Sequence, residues 1–169
     1  MVKKSLLNKC RKIKLLLSDV DGVLTDGGMY YSRTGESLKK FNTRDGMAVE
    51  LLQNMGIPVV FITKEQSVIS RKRAKKVKAA AIYSGVTKKE DMLPKILKKF
   101  NVRKDHVAYI GDDINDLAIM KKVGFCAAPG DCEELIANIA DYVCTKNGGE
   151  GVFREVTNLI ISSKSNYNN

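Results

Sequence analysis

Short apolar runs closed by turn residues alternate along this chain with longer segments whose apolar positions recur at helical spacing. The first run, Leu15-Leu16-Leu17, leads through Ser18 into Asp19-Val20-Asp21-Gly22, and reads as a buried strand with two aspartates at its carboxyl end. Residues 27–41 alternate aromatic and hydroxyl side chains around Arg33-Thr34-Gly35, the pattern of a β-hairpin. Asn42-Thr43-Arg44-Asp45-Gly46 then opens a helix through 47–55, which Gly56 stops. Further strands are expected at 57–63, 79–83, 107–110, 125–128 and 142–144. Further helices are expected at 67–77, 89–100, 114–123, 132–139 and 152–162, and the polar residues 162–169 are expected to fray.

Strands alternating with helices in this way predict an α/β fold, a Rossmann-like three-layer parallel sheet covered by helices on both faces. Nothing in the 169 residues repeats, and the hairpin is the only insertion, so one domain over 1–169 with no cap domain is expected.

Charge changes the picture more than composition does. The hydrophobic content of 44% and charged content of 28% are those of an ordinary globular chain, but the net charge is +10. Lysine-rich stretches at 71–78 and 88–99 read as solvated helix faces, and no nucleic-acid motif or aromatic platform accompanies them. A basic surface also steers small anionic substrates. No apolar run approaches the ~20 residues of a membrane span. The basic start lacks a small-residue cleavage site, so a cytoplasmic protein without a signal peptide, membrane or nucleic-acid partner is expected. The four cysteines form no CxxC pair and read as reduced thiols. The single histidine, His106, opens a strand, which leaves no basis for Ser-His-Asp or Cys-His chemistry.

The candidate chemistry lies at strand ends. Asp19 and Asp21 alone could be turn residues. Val107-Ala108-Tyr109-Ile110-Gly111-Asp112-Asp113-Ile114-Asn115-Asp116 repeats the design, however: an apolar strand, a glycine, then an acidic cluster. Two acidic strand ends facing each other repel unless neutralised, and a hard divalent cation such as Mg²⁺ is the natural partner. Thr63 closes another strand, and Lys89 follows a third. A carboxylate nucleophile, a metal, a hydroxyl and a lysine are the parts of phosphoryl transfer through an aspartyl-phosphate.

This set resembles the haloacid dehalogenase-like phosphohydrolases: Asp19-Val20-Asp21-Gly22 as first motif, Thr63 as second, Lys89 as third and Gly111-Asp112-Asp113-Ile114-Asn115-Asp116 as fourth. The resemblance implies Asp19 as nucleophile, Asp21 as general acid/base, and Mg²⁺ held by the Asp19 and Asp112 side chains and the Asp21 backbone carbonyl. Asp113 and Asp116 are implied only as supporting acidic residues, with their contact to the ion left open.

The stretches Asp21-Gly22-Val23-Leu24-Thr25-Asp26-Gly27, Lys40-Phe41-Asn42-Thr43-Arg44-Asp45-Gly46 and Asn147-Gly148-Gly149-Glu150-Gly151-Val152-Phe153-Arg154-Glu155 resemble the capless subfamily. Its members hydrolyse phosphate esters of 2-keto-3-deoxy sugar acids. In it the hairpin and a neighbouring subunit cover the site, which implies a homotetramer with the site at a subunit interface. The resemblance leans toward a nonulosonate 9-phosphate (2-keto-3-deoxynononate or acylneuraminate) over 3-deoxy-manno-octulosonate 8-phosphate. That lean rests on Glu65, Lys76 and Arg73 as substrate-binding residues, Arg73 reaching the neighbour's substrate. Lys64 departs from the subfamily, which has glycine there. Two readings of other kinds stay open. One is a non-catalytic basic interaction module. The other is a phosphotransferase, which usually needs the cap this chain lacks.

Overall fold

The computed structural model describes residues 4–165. In chain order the elements are α1 (Lys4–Arg11), β1 (Leu15–Ser18), β2 (Tyr30–Ser32), β3 (Gly35–Leu38), α2 (Thr43–Asn54), β4 (Val59–Ile62), α3 (Val68–Lys76) and β5 (Ala81–Tyr83). There follow α4 (Leu93–Phe100), β6 (Val107–Ile110), α5 (Leu117–Met120), β7 (Phe125–Ala128), α6 (Glu134–Ala137), β8 (Tyr142–Val143) and α7 (Val152–Ser165). Short 3₁₀ turns at Lys89–Met92, Lys104–His106 and Ile114–Asp116 precede α4, β6 and α5.

All residues of β1, β4, β6 and β7 are buried, as their apolar runs require. They belong to a six-stranded sheet of order β5-β4-β1-β6-β7-β8, in which every pair is parallel. Strand side chains alternate between faces, so the two-residue period sorts the core into two layers. Leu16, Phe61 and Ala108 pack with Val49 and Leu52 of α2, Ala74 of α3 and Val156 and Ile160 of α7. Leu15, Leu17, Val60 and Tyr109 pack on the other face with Ile96 of α4, Ile119 of α5 and Ile136 of α6. The fold is the expected three-layer α/β arrangement. Apart from it, the described residues hold one small sheet, the antiparallel hairpin β2–β3.

Four expectations need correction, the first being that the helix expected over 114–123 begins as a 3₁₀ turn at Ile114–Asp116 and ends at Met120. Residues 4–11, read only as a basic start, form α1, because Leu6, Leu7 and Cys10 share a face that packs on the core. The terminal helix runs past 162 to Ser165, where Ser163 is buried and Lys164 Nζ donates to the Arg11 carbonyl at 2.6 Å. Residues 166–169 of the expected frayed tail lie outside the described residues. The helix expected over 89–100 begins as a 3₁₀ turn. Pro94 in the first turn of α4 has no N–H to bond back to the preceding turn, so the α-helical ladder does not extend N-terminally through it.

Candidate active site

Parallel α/β sheets bind ligands at the carboxyl ends of their strands, where the strand order reverses. Here that point is β1, which is followed in the chain by β4 on one side and by β6 on the other. Asp19 lies one residue past β1, its N–H bonding the Ile110 carbonyl at 2.9 Å. Thr63 lies one residue past β4, and Asp112 two past β6. Each side chain is therefore carried by a rigid strand end, and the three converge on one cleft.

Past Ser18 the chain does not stay extended but folds into a turn. Gly22 has φ +80°, and a Cβ there would stand 2.0 Å from Asp112 Oδ2, so glycine is required on both counts. The loop 147–151 presses against the same turn: a Cβ on Gly148 would meet the Gly22 carbonyl oxygen at 2.2 Å, and Gly149 N–H bonds the Val23 carbonyl. Asn42 caps α2 and donates to the Gly149 carbonyl, while buried Asp45 accepts from Arg154 N–H at 2.8 Å. The second and third subfamily stretches are thus scaffolding that supports the turn carrying Asp21.

Lys89, in the 3₁₀ turn after β5, has a fully buried side chain. Its ammonium lies 2.7 Å from Asp19 Oδ2 and 2.7 Å from Asp116 Oδ1. Asp116 also accepts from Tyr109 Oη at 2.5 Å and, through Oδ2, from Asp112 N–H at 3.0 Å. Asp113 is exposed and caps the 3₁₀ turn at Ile114–Asp116. Of these two aspartates, Asp116 is the one whose carboxylate faces Lys89 and clusters with Asp19 and Asp112.

Oxygens of Asp19, Asp112 and Asp116 lie within 4.8 Å of one another. One buried ammonium faces three carboxylates, so negative charge is left uncompensated. The Asp19 carboxyl is pushed up to about 7 by burial and by Asp116, against the pull of Lys89. Burial, Asp19 and Asp116 push Asp112 up to about 8. Burial opposes charge on Lys89, but Asp19 and Asp116 hold it above the ordinary lysine range. Asp112 Oδ1 is buried and accepts no hydrogen bond. An all-oxygen donor set, surplus negative charge and an orphaned carboxylate oxygen fit a hard divalent cation.

Asp21 has a different environment. Its Oδ2 accepts from Thr63 Oγ1 at 3.4 Å, and its Oδ1 is paired with Lys39, the residue following β3. Its carboxylate is not one of the three that could share an ion. The cleft, about 340 Å³, is lined by Asp19, Asp21, Thr63, Lys64, Glu65 and Asp112, among others. Lys64 is exposed and does not adopt the left-handed backbone that would call for glycine. Arg73 and Lys76 do not line this cleft. They border a groove between α2 and α3, where Arg73 donates to the Asn42 carbonyl at 2.9 Å and stacks over Phe41. Sequence reasoning missed Tyr109 and Lys39. A buried-strand tyrosine carries no signal of its hydroxyl's partner, and nothing in Lys39-Lys40 distinguishes one lysine from the other.

No helix among the described residues is long and apolar enough to cross a membrane. A family model described as haloacid dehalogenase-like hydrolase matches residues 61–156. The 3-deoxy-D-manno-octulosonate 8-phosphate phosphatase of Salmonella typhi is 36% identical over 160 residues, spanning 95% of this chain and 85% of that protein. The Haemophilus influenzae enzyme of the same name is 34% identical over 156 residues, 92% and 87% of the two chains. Among solved structures, the Yersinia pestis octulosonate 8-phosphate phosphatase superposes with TM-score 0.93 at 34% identity, covering 96% of this chain and 88% of its own. The Moraxella catarrhalis phosphatase, in complex with a magnesium ion, a phosphate ion and a KDO molecule, gives 0.92 at 35% identity, covering 97% and 94%.

Proposed function

The chain belongs to the haloacid dehalogenase-like hydrolases, and from that footing we propose that it hydrolyses the phosphate monoester of a 2-keto-3-deoxy sugar acid, 3-deoxy-manno-octulosonate 8-phosphate first among them. The observation that carries this reading is the convergence of Asp19, Asp21, Thr63, Lys89 and Asp112 on one strand-end site, in a chain that resembles octulosonate 8-phosphate phosphatases over nearly its whole length.

In the first half-reaction an Asp19 carboxylate oxygen bonds to phosphorus while the bond from phosphorus to the sugar oxygen breaks. Asp21 gives that oxygen its proton. In the second, Asp21 takes a proton from water as the water attacks phosphorus and the bond to Asp19 breaks, releasing inorganic phosphate. Thr63 donates to a phosphoryl oxygen, and Lys89 holds Asp19 in place while balancing charge. Mg²⁺ would be held by the Asp19 and Asp112 carboxylates and the Asp21 backbone carbonyl, with Asp116 within reach. When bound it neutralises nucleophile and phosphate, so that one anion can approach another.

The electrostatics carry a prediction. An acid whose pKa is higher folded than unfolded binds its proton more tightly in the native state, so stability is lost as pH rises between the two values. That window runs from the ordinary 3.8 to about 7 for Asp19 and to about 8 for Asp112. In chelator the melting temperature should fall across this range, and Mg²⁺ added at pH 8 should restore several degrees. A melting temperature indifferent to both would speak against a cation among these carboxylates.

The substrate is tested by measuring phosphate release from the octulosonate 8-phosphate and a nonulosonate 9-phosphate side by side. We expect kcat/KM to favour the octulosonate by about tenfold or more, a difference of ~1.4 kcal/mol in transition-state binding. One observation favours the other sugar: Glu65 lines the cleft, as the nonulosonate reading needs. If the nonulosonate is the faster substrate and Glu65→Arg removes its advantage, that reading replaces ours. Phosphate release from neither would end the phosphatase reading.

The homotetramer is part of the same proposal. The exposed Met29, Tyr30, Tyr31 and Leu38 of the hairpin support contact with a neighbouring copy, and so does the position of Arg73 outside its own cleft. Four free cysteines accord with a cytoplasmic setting.

A further inference from the structure

Burying a lysine is unfavourable unless its ammonium is fully paired. Lys39 and Lys40 are neighbours at the end of the hairpin, yet the Lys40 side chain is 59% exposed and the Lys39 side chain only 1%. Lys39 Nζ pairs with Asp21 Oδ1 and lies 3.2 Å from Glu36 Oε1. The other Glu36 oxygen accepts from Ser67 Oγ at 2.5 Å. Ser67 is the N-cap of α3, and its Oγ in turn accepts from Ser70 N–H at 3.0 Å. An unbroken chain of polar contacts therefore runs from the start of α3, across the hairpin, to Asp21.

Asp21 needs such a support. It sits on a turn rather than a strand, its side chain is 22% exposed, and among the described residues its other side-chain partner is Thr63 at 3.4 Å. A group that moves protons must be held within hydrogen-bond reach of the atom it serves. Lys39 itself is not among the residues that line the cleft; it reaches the cleft through Asp21.

We propose that Lys39 is a positioning residue: it fixes the Asp21 carboxylate for proton transfer, and it does so only while the hairpin is docked through Glu36 on Ser67. The proposal rests on Asp21 being the general acid/base of the proposed phosphatase.

Leaving-group dependence tests it. Release of a sugar hydroxyl requires a proton, whereas p-nitrophenolate leaves without one. In Lys39→Met, single-turnover cleavage of the octulosonate 8-phosphate should slow about 100-fold, the usual worth of general acid catalysis, while the burst of p-nitrophenolate from p-nitrophenyl phosphate changes by less than about threefold. Lys39→Arg should restore most of the sugar-phosphate rate. Glu36→Gln, which leaves the buried ammonium in place, should show the same split at about fivefold, and carries the test if Lys39→Met does not fold. Equal slowing of both substrates would overturn the proposal, because Lys39 would then serve the phosphate or the fold. No slowing of either would overturn it as well. A wild-type protein inactive on both would instead remove the phosphatase reading, and this proposal with it.

Discussion

Asp19→Asn is expected to lower phosphate release by a factor on the order of 10⁴ or more, the scale on which losing a covalent nucleophile is felt. The loss should be chemical. An asparagine carbonyl oxygen can still accept the Val20 N–H that Asp19 Oδ1 takes at 2.6 Å, so the turn after β1 keeps its local bond. Its amide gives up the contact with Lys89 but relieves the crowding of three carboxylates, and Lys89 keeps Asp116 as partner. Circular dichroism and melting should therefore stay close to wild type while turnover vanishes. In the wild type, acid quenching during turnover should trap phosphate on the peptide that contains Asp19, and the variant should carry none. Residual turnover above about one per cent of wild type would remove Asp19 as nucleophile.

The second large effect concerns stability as much as activity. Lys89 is the buried cation among Asp19, Asp112 and Asp116, and breaking a buried ion pair by removing one partner costs about 3–5 kcal/mol. For a chain of this size that corresponds to roughly 10 °C in melting temperature. Lys89→Met keeps the length of the side chain but leaves three carboxylates facing each other. The loss should be greatest at pH 8 in chelator, and Mg²⁺ should recover part of it by supplying positive charge from the other side of the cluster. Urea unfolding in the two conditions measures both. An unchanged midpoint in chelator would mean that the carboxylates are not ionised together.

Asp19 and Asp112 are legible in the sequence because their positions depend on features that it displays directly. Leu15-Leu16-Leu17 and Val107–Ile110 can only be buried strands, and the residues just past a buried strand in an α/β chain lie at the sheet's working edge. Thr63 is found by the same reasoning. Asp116 could be named but not ranked above Asp113. The choice depends on where the 3₁₀ turn at Ile114–Asp116 points each carboxylate, and that is decided by Lys89 and Tyr109 from elsewhere in the fold. Lys39 was not legible at all. Its burial depends on how the hairpin lies over the β1 turn, a tertiary choice that no local periodicity records. Helix α1 was hidden for a similar reason: eight residues, three of them basic, make a helix only because α7 covers their apolar side.

The pairing of β1 with strands distant in the chain has a kinetic consequence. Leu16 must find Val59, and Leu15 must find Val107, before the central strand is enclosed. Such pairings raise contact order and place the cost of loop closure ahead of the energy that rewards it. The β1–β4 pair spans the shorter loop and brings Asp19 beside Thr63. Asp112 and Asp116 arrive only when β6 docks on the opposite edge. Refolding should then pass through species that have the nucleophile and the hydroxyl but not the acidic half of the site, and recovery of activity should lag behind recovery of secondary structure.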